Sequence, residues 1–147
     1  MSLSGSSLYV FFAVEHYDIK GKELLRTLEK HYIVDIGLRN LLLGYRDADR
    51  GHILENIVFL ELLRRGYHVY IGKIGNLEVD FLAEKVDEKI YIQVTESLQS
   101  EQTRQRELRP LQQITDNDEK IVLSLDHDFI KSENGIKLLN LFDWLLE

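Results

Sequence analysis

An α/β fold, a mixed sheet flanked by helices, is what this sequence predicts, and three observations predict it. Apolar residues at helical spacing fill 49–65, three short strand-like runs follow closely over 67–95, and a helical stretch from Ser100 leads into one more apolar run at 120–125. Short connections make the three central strands antiparallel neighbours, whereas a helical crossover sets the last strand parallel to its predecessor. The element order is α-β-β-β-α-β, with the long first helix on one face.

The chain has 147 residues, the size of one domain. At 44% hydrophobic and 29% charged residues it is composed like a globular protein whose core needs no covalent staple. It contains no cysteine, which excludes disulfide scaffolds, zinc ribbons and cysteine nucleophiles and fits a reducing, cytoplasmic setting. No apolar run is long enough to suggest a membrane span, and no leader pattern opens the sequence. Lys and Arg number 18 against 25 Asp and Glu, a net charge of −7, the reverse of a protein that coats nucleic acid non-specifically. Residues 1–7 are small, polar and patternless and are expected outside the fold as a tag-like or disordered start. A single domain over 8–147 remains, divided into a mixed segment at 8–44, the core at 45–125 and an extension at 126–147.

In order along the chain, aromatic and β-branched residues at 8–14 predict a strand and 17–22 a turn. Leu24, Leu25 and Leu28 share one helical face, which predicts a short helix over 23–30. A brief strand at 31–35 and a short helix at 37–43, stopped by Gly44, complete the opening segment. The central helix starts at Asp49 and ends at Gly66. Its apolar residues, from Ile53 to Leu63, cover nearly the whole circumference, so it is expected to be buried on several sides. Glu61 has Arg64 and Arg65 at ion-pair spacing, but Glu55 has no such partner along the helix. Strands are predicted at 67–71, 77–83 and 89–95, and then a helix from Ser100 to about Gln113 that Pro110 kinks or ends. The unbroken apolar run at 120–125 predicts a central buried strand. An edge strand at 136–139 and a last helical turn at 142–146 follow.

Strand parity singles out candidate functional residues. Val79 and Phe81 are expected to point one way, with Glu78 and Asp80 pointing the other; on the next strand Tyr91, Gln93 and Thr95 oppose Ile90, Ile92 and Val94. Asp80, Gln93 and Thr95 then converge on one polar face, where a carboxylate, an amide oxygen and the intervening peptide carbonyl are the hard donors that magnesium takes. A solvated polar sheet face would give the same alternation.

A buried helix with Glu55, then Glu78-Val-Asp80-Phe and Tyr91-Ile-Gln93-Val-Thr95, resembles the restriction-endonuclease-like, PD-(D/E)XK, superfamily. More closely, the chain is similar to the C-terminal domain of unknown function attached to bacterial and archaeal AAA+ ATPases. That resemblance rests on Tyr17-Asp-Ile-Lys-Gly-Lys22, Val34-Asp-Ile-Gly-Leu-Arg39, Gly51-His-Ile-Leu-Glu-Asn56 and Glu61-Leu-Leu-Arg-Arg-Gly66, besides the two strand motifs. It implies a restriction-endonuclease-like αβββαβ core, a larger chain carrying the ATPase domain as partner, and a nuclease-like site at Glu55, Asp80, Gln93 and Thr95. Within it Glu55, Asp80 and Gln93 are the metal ligands, for magnesium or manganese held weakly. Thr95 stands where the superfamily has its catalytic lysine, and a hydroxyl carries no charge to offset one developing on a phosphoryl group. Gln93 likewise replaces a carboxylate with an amide. The expected function is therefore that of an accessory domain with a degenerate nuclease-like site, binding a partner or nucleic acid. The alternatives are an active magnesium-dependent DNA or RNA nuclease and a structural or oligomerisation module.

Other motifs carry less. The Gly66–Gly72–Lys73 stretch has one residue too many between its glycines, and Ile74 stands where a phosphate loop has Ser or Thr, so no ATP site is expected in this chain. His52 and Glu55 have the spacing of two helical metal ligands, without a second His. Lys73, Lys85 and Lys89 lie in or beside turns from which a lysine could reach the site. Arg104, Arg106 and Arg109 offer phosphate contacts or, with Glu101 and Glu107, an ordinary solvated helix face.

Overall fold

The computed structural model describes residues 2–4, 11–37, 40, 44, 49–127 and 131–147. Among the described residues, nine strands form one mixed sheet: β1 (Ser2–Ser4), β2 (Phe11–Asp18), β3 (Glu23–Ile33), β4 (His68–Ile74), β5 (Leu77–Lys85), β6 (Glu88–Val94), β7 (Glu119–Ser124), β8 (Ser132–Glu133) and β9 (Ile136–Asn140). Their spatial order is β1-β2-β4-β5-β6-β7-β9-β8, with β3 also paired to β2. Helices α1 (Arg50–Arg64), α2 (Glu101–Gln112) and α3 (Leu141–Leu146) complete the described elements.

The α-β-β-β-α-β order is present. β4, β5 and β6 form an antiparallel meander, and β6 and β7 are parallel neighbours, from Ile90 opposite Glu119 to Val94 opposite Leu123. The crossover through α2 dictates that last pairing. Helix α1 packs on one face of the sheet, where Val58, Phe59 and Leu62 meet Phe81, Ile92, Leu123 and the α3 residue Trp144. Helix α2 covers the other, where Leu108 and Leu111 meet Leu82, Tyr91 and Val122. β7 is buried over Ile121 to Ser124, as its unbroken apolar run predicts. No helix among the described residues is long and apolar enough to cross a membrane.

The ends of α1 follow from its sequence. Asp49 is its N-cap residue, and Glu61 takes hydrogen bonds from Arg64 and Arg65. Gly66 closes it with φ +84°, its amide bonding the Leu63 carbonyl while the Tyr67 amide bonds that of Leu62. A Cβ there meets nothing within 4 Å, so the left-handed backbone alone makes Gly66→Ala unfavourable. We expect that substitution to lose about 1 kcal/mol in urea unfolding. In α2, Ser100 caps the start and Pro110 lies within the last turn without stopping the helix before Gln112.

Several expectations are corrected. Residues 23–30 are not a helix: β3 is one long strand paired with β2 over 23–25 and 29–33, with an irregularity at 26–28, and it also absorbs the separate strand expected at 31–35. Leu24 and Leu28 are 38% and 43% exposed, so their helical spacing has no core to face, and backbone pairing decides the conformation. Ser2–Ser4, within the stretch expected outside the fold, pairs antiparallel with β2. β9 is not an edge strand, because β8 lies outside it. Val79 and Phe81 do not share a face: Val79 packs in the α2 layer and Phe81 in the α1 layer. The cause is a bulge, since Tyr70 opposes Leu82 but Gly72 opposes Val79, leaving Ile71 against both Asp80 and Phe81. The first three residues of the strand expected at 8–14, and most of the helix expected at 37–43, lie outside the described residues.

Candidate functional site

Asp80 sits on this bulge, where β5 separates from β6. Regular pairing runs only to Phe81 opposite Ile92. Beyond it side chains replace the ladder: Gln93 Oε1 accepts from the Asp80 amide at 2.7 Å, and Asp80 Oδ2 accepts from the Val94 amide at 2.8 Å. Asp80 and Gln93 are thus brought together, though by the Asp80 backbone and not by its carboxylate. The Gln93 amide nitrogen turns to the α2 layer and donates to Glu107 Oε2 at 3.3 Å.

Glu55 reaches the same region from α1. Its Oε2 accepts from Lys30 Nζ at 2.8 Å and from the Tyr32 hydroxyl at 3.3 Å. Both donors belong to β3, whose end is fixed on α1 by buried Asn56. That side chain mimics a strand partner, accepting from the Ile33 amide at 2.9 Å and donating to the Ile33 carbonyl at 2.8 Å. Phe59 stacks on Tyr32 with 4.5 Å between ring centres and keeps the phenol beside Glu55. Lys30 also lies 3.7 Å from Glu78, which approaches His16 on β2 at 3.5 Å.

The electrostatics are those of a crowded, poorly solvated acidic group. Burial, and then the Glu55 charge, push the Asp80 carboxyl well above the usual carboxylate range; the Val94 amide and Lys30 offset only part of this. Burial also raises Glu107, against the opposing pull of Arg106. Burial depresses the Lys30 ammonium, but the Glu55 hydrogen bond and the Glu55, Asp80 and Glu78 charges outweigh it and leave its pKa raised. Tyr32, buried beside these carboxylates, is held far above its ordinary value.

These donors do not fit a divalent cation as they are placed. Glu55 is occupied by Lys30 and Asp80 favours its neutral form, and among the described residues no three His, Asp or Glu side chains converge as a ligand set. His52 is exposed and outside the cluster. Of the lysines weighed from sequence, Lys85 lies over the Tyr67 ring and Lys89 reaches Asp118. The cation present is Lys30, which the sequence reading missed together with Asn56 and the inward role of Glu107. A strand assignment for 23–33 would have revealed Lys30 and Tyr32 as same-face neighbours two residues apart.

Thr95 follows the cluster. Its amide donates to the Leu123 carbonyl at 3.0 Å, and it lines an open cavity of about 470 Å³ at the start of α2.

A family model described as "Domain of unknown function (DUF4143)" matches residues 50–144. An uncharacterized protein of Haemophilus influenzae is 41% identical over 139 residues, covering 95% of this chain and 34% of that protein. An uncharacterized protein of Methanocaldococcus jannaschii is 35% identical over 108 residues, covering 71% of this chain and 23% of that protein. The chain therefore spans only 34% and 23% of the length of these relatives. No solved structure matches.

Proposed function

The chain belongs to the DUF4143 family, and from that membership we propose that it is the accessory C-terminal domain of an AAA+ ATPase, with a degenerate restriction-endonuclease-like site that binds a partner or nucleic acid without cutting it. The observation that carries this reading is the pairing of two features. On this reading Thr95 stands at the position of the lysine, and the helix carboxylate Glu55 is held by Lys30. A charge needed to stabilise a developing phosphorane is absent at Thr95, and a carboxylate needed for a metal is already neutralised. The αβββαβ order and the placement of Asp80 at the divergence of two central strands support a nuclease-like ancestry. The greater length of the relatives leaves room for a further domain, which this reading assigns to the ATPase.

One observation favours a second reading, an active magnesium-dependent nuclease: Lys30 brings an ammonium group to the carboxylates from another strand. Incubating the chain with plasmid and single-stranded DNA and RNA in magnesium or manganese separates the two. No cleavage above buffer is expected from the natural sequence, and Thr95→Lys should raise cleavage only if the remaining geometry is intact. Cleavage by the natural sequence that Lys30→Met abolishes would replace the first reading by the second.

A further inference from the structure

We infer that the chain pairs with a second copy of itself through the groove that Tyr67 and Trp144 line. This groove, of about 570 Å³, opens on the α1 face of the sheet, and Ile90, Ile121 and Leu139 complete its apolar floor. Two apolar side chains stand beside it in open solvent. Val86 is 97% and Leu146 87% exposed, the two most exposed large apolar residues among those described.

Val86 belongs to the two-residue loop between the paired residues Lys85 and Glu88. Gly, Asn or Asp suit such a loop, and no core asks for a β-branched side chain there. The loop is held at the groove by Tyr67: Lys85 Nζ lies 4.0 Å over its ring, and its hydroxyl donates to Glu88, a lining residue. Leu146 adjoins Glu147, which also lines the groove. A convex apolar tip next to a concave apolar floor makes the surface complementary to itself. Across a two-fold axis, the Val86 tip of each protomer enters the groove of the other.

Charge selects a second copy as the occupant. The chain carries a net charge of −7, so most faces of two copies repel. The rim of the groove is balanced, with Arg65, Lys131 and Lys137 against Glu88, Glu119 and Glu147. Lys137 is paired with Glu119 and Arg65 with Glu61. Lys131 has no ion pair among the described residues, and neither has Asp87, the neighbour of Val86. Insertion of the tip brings Asp87 of one protomer to Lys131 of the other, and the symmetry forms that pair twice.

The inference goes beyond the nuclease-like reading, because Glu55 and Asp80 do not line this groove. Sedimentation velocity of the chain over a dilution series tests it. A reversible dimer is expected, weakened roughly tenfold or more by Val86→Asp and by Lys131→Glu. Both residues are exposed, so these variants keep the fold. Asp87→Lys should weaken the dimer as well, and combining it with Lys131→Glu should restore it, since the reversed charges attract again. A monomer at every concentration overturns the inference and leaves the groove to another kind of partner. A dimer that Val86→Asp and Lys131→Glu leave intact also overturns it, by placing the interface on a different face. Neither outcome depends on the result of the cleavage assay.

Discussion

Lys30→Met is expected to lower stability at pH 7 by about 2–3 kcal/mol, a fall in Tm of roughly 5–10 °C. Removing one partner of a buried ion pair leaves the other charge without compensation, which in full burial costs about 3–5 kcal/mol. The Lys30 and Glu55 side chains are 27% and 14% exposed, so part of that penalty is relieved by water. What remains is large because Lys30 is the ammonium partner of both Glu55 and Glu78. The double variant Lys30→Met, Glu55→Gln should recover most of the loss, since it removes the orphaned charge with its partner. A single variant within about 0.5 kcal/mol of the natural sequence, the range of an ordinary surface change, would show that the pair is a surface contact of little weight. Manganese adds a functional readout. If Lys30 is what keeps Glu55 from a metal, the cation should stabilise Lys30→Met more than the natural sequence.

The central frame was readable because local pattern and global topology agree there. The α1 apolar run ends at a glycine that really does take the left-handed conformation, and the tight turns at Gly75 and Asp87 leave β4, β5 and β6 no option but a meander. The site was only partly readable. Glu55, Asp80 and Gln93 could be named from spacing, yet their geometry depends on partners far away in sequence. The bulge that re-aims Asp80 exists only in the count of β5 against β4, which no inspection of β5 alone can give. Lys30 stayed hidden because leucines at helical spacing outweighed a strand whose stability comes from pairing with β2. Glu107 looked like a solvated partner for arginine, and it is one for Arg106, but its other oxygen is drawn inward by Gln93.

Asp80→Asn should stabilise the protein at neutral and alkaline pH and leave it unchanged in acid. Burial and Glu55 raise the Asp80 pKa from 3.8 to about 8 in the fold. The folded state therefore holds a proton that the unfolded chain releases at much lower pH. Asp80 contributes no penalty below the unfolded pKa, and stability falls as pH rises from there through the folded value. An asparagine is neutral throughout, and its carbonyl oxygen can keep the bond from the Val94 amide. At pH 9 the variant should gain on the order of 2–3 kcal/mol, below the full linkage value because a buried carboxylate that ionises draws in water and relaxes its surroundings. At pH 4 the two proteins should unfold alike, and the difference should grow steadily between these limits in urea denaturation. The opposite pattern has a specific meaning. If Asp80→Asn is destabilised at neutral pH, and manganese stabilises the natural sequence but not the variant, Asp80 is working as an ionised ligand. The degenerate-site reading would then yield to the metal-dependent nuclease, with Lys30 as its cation.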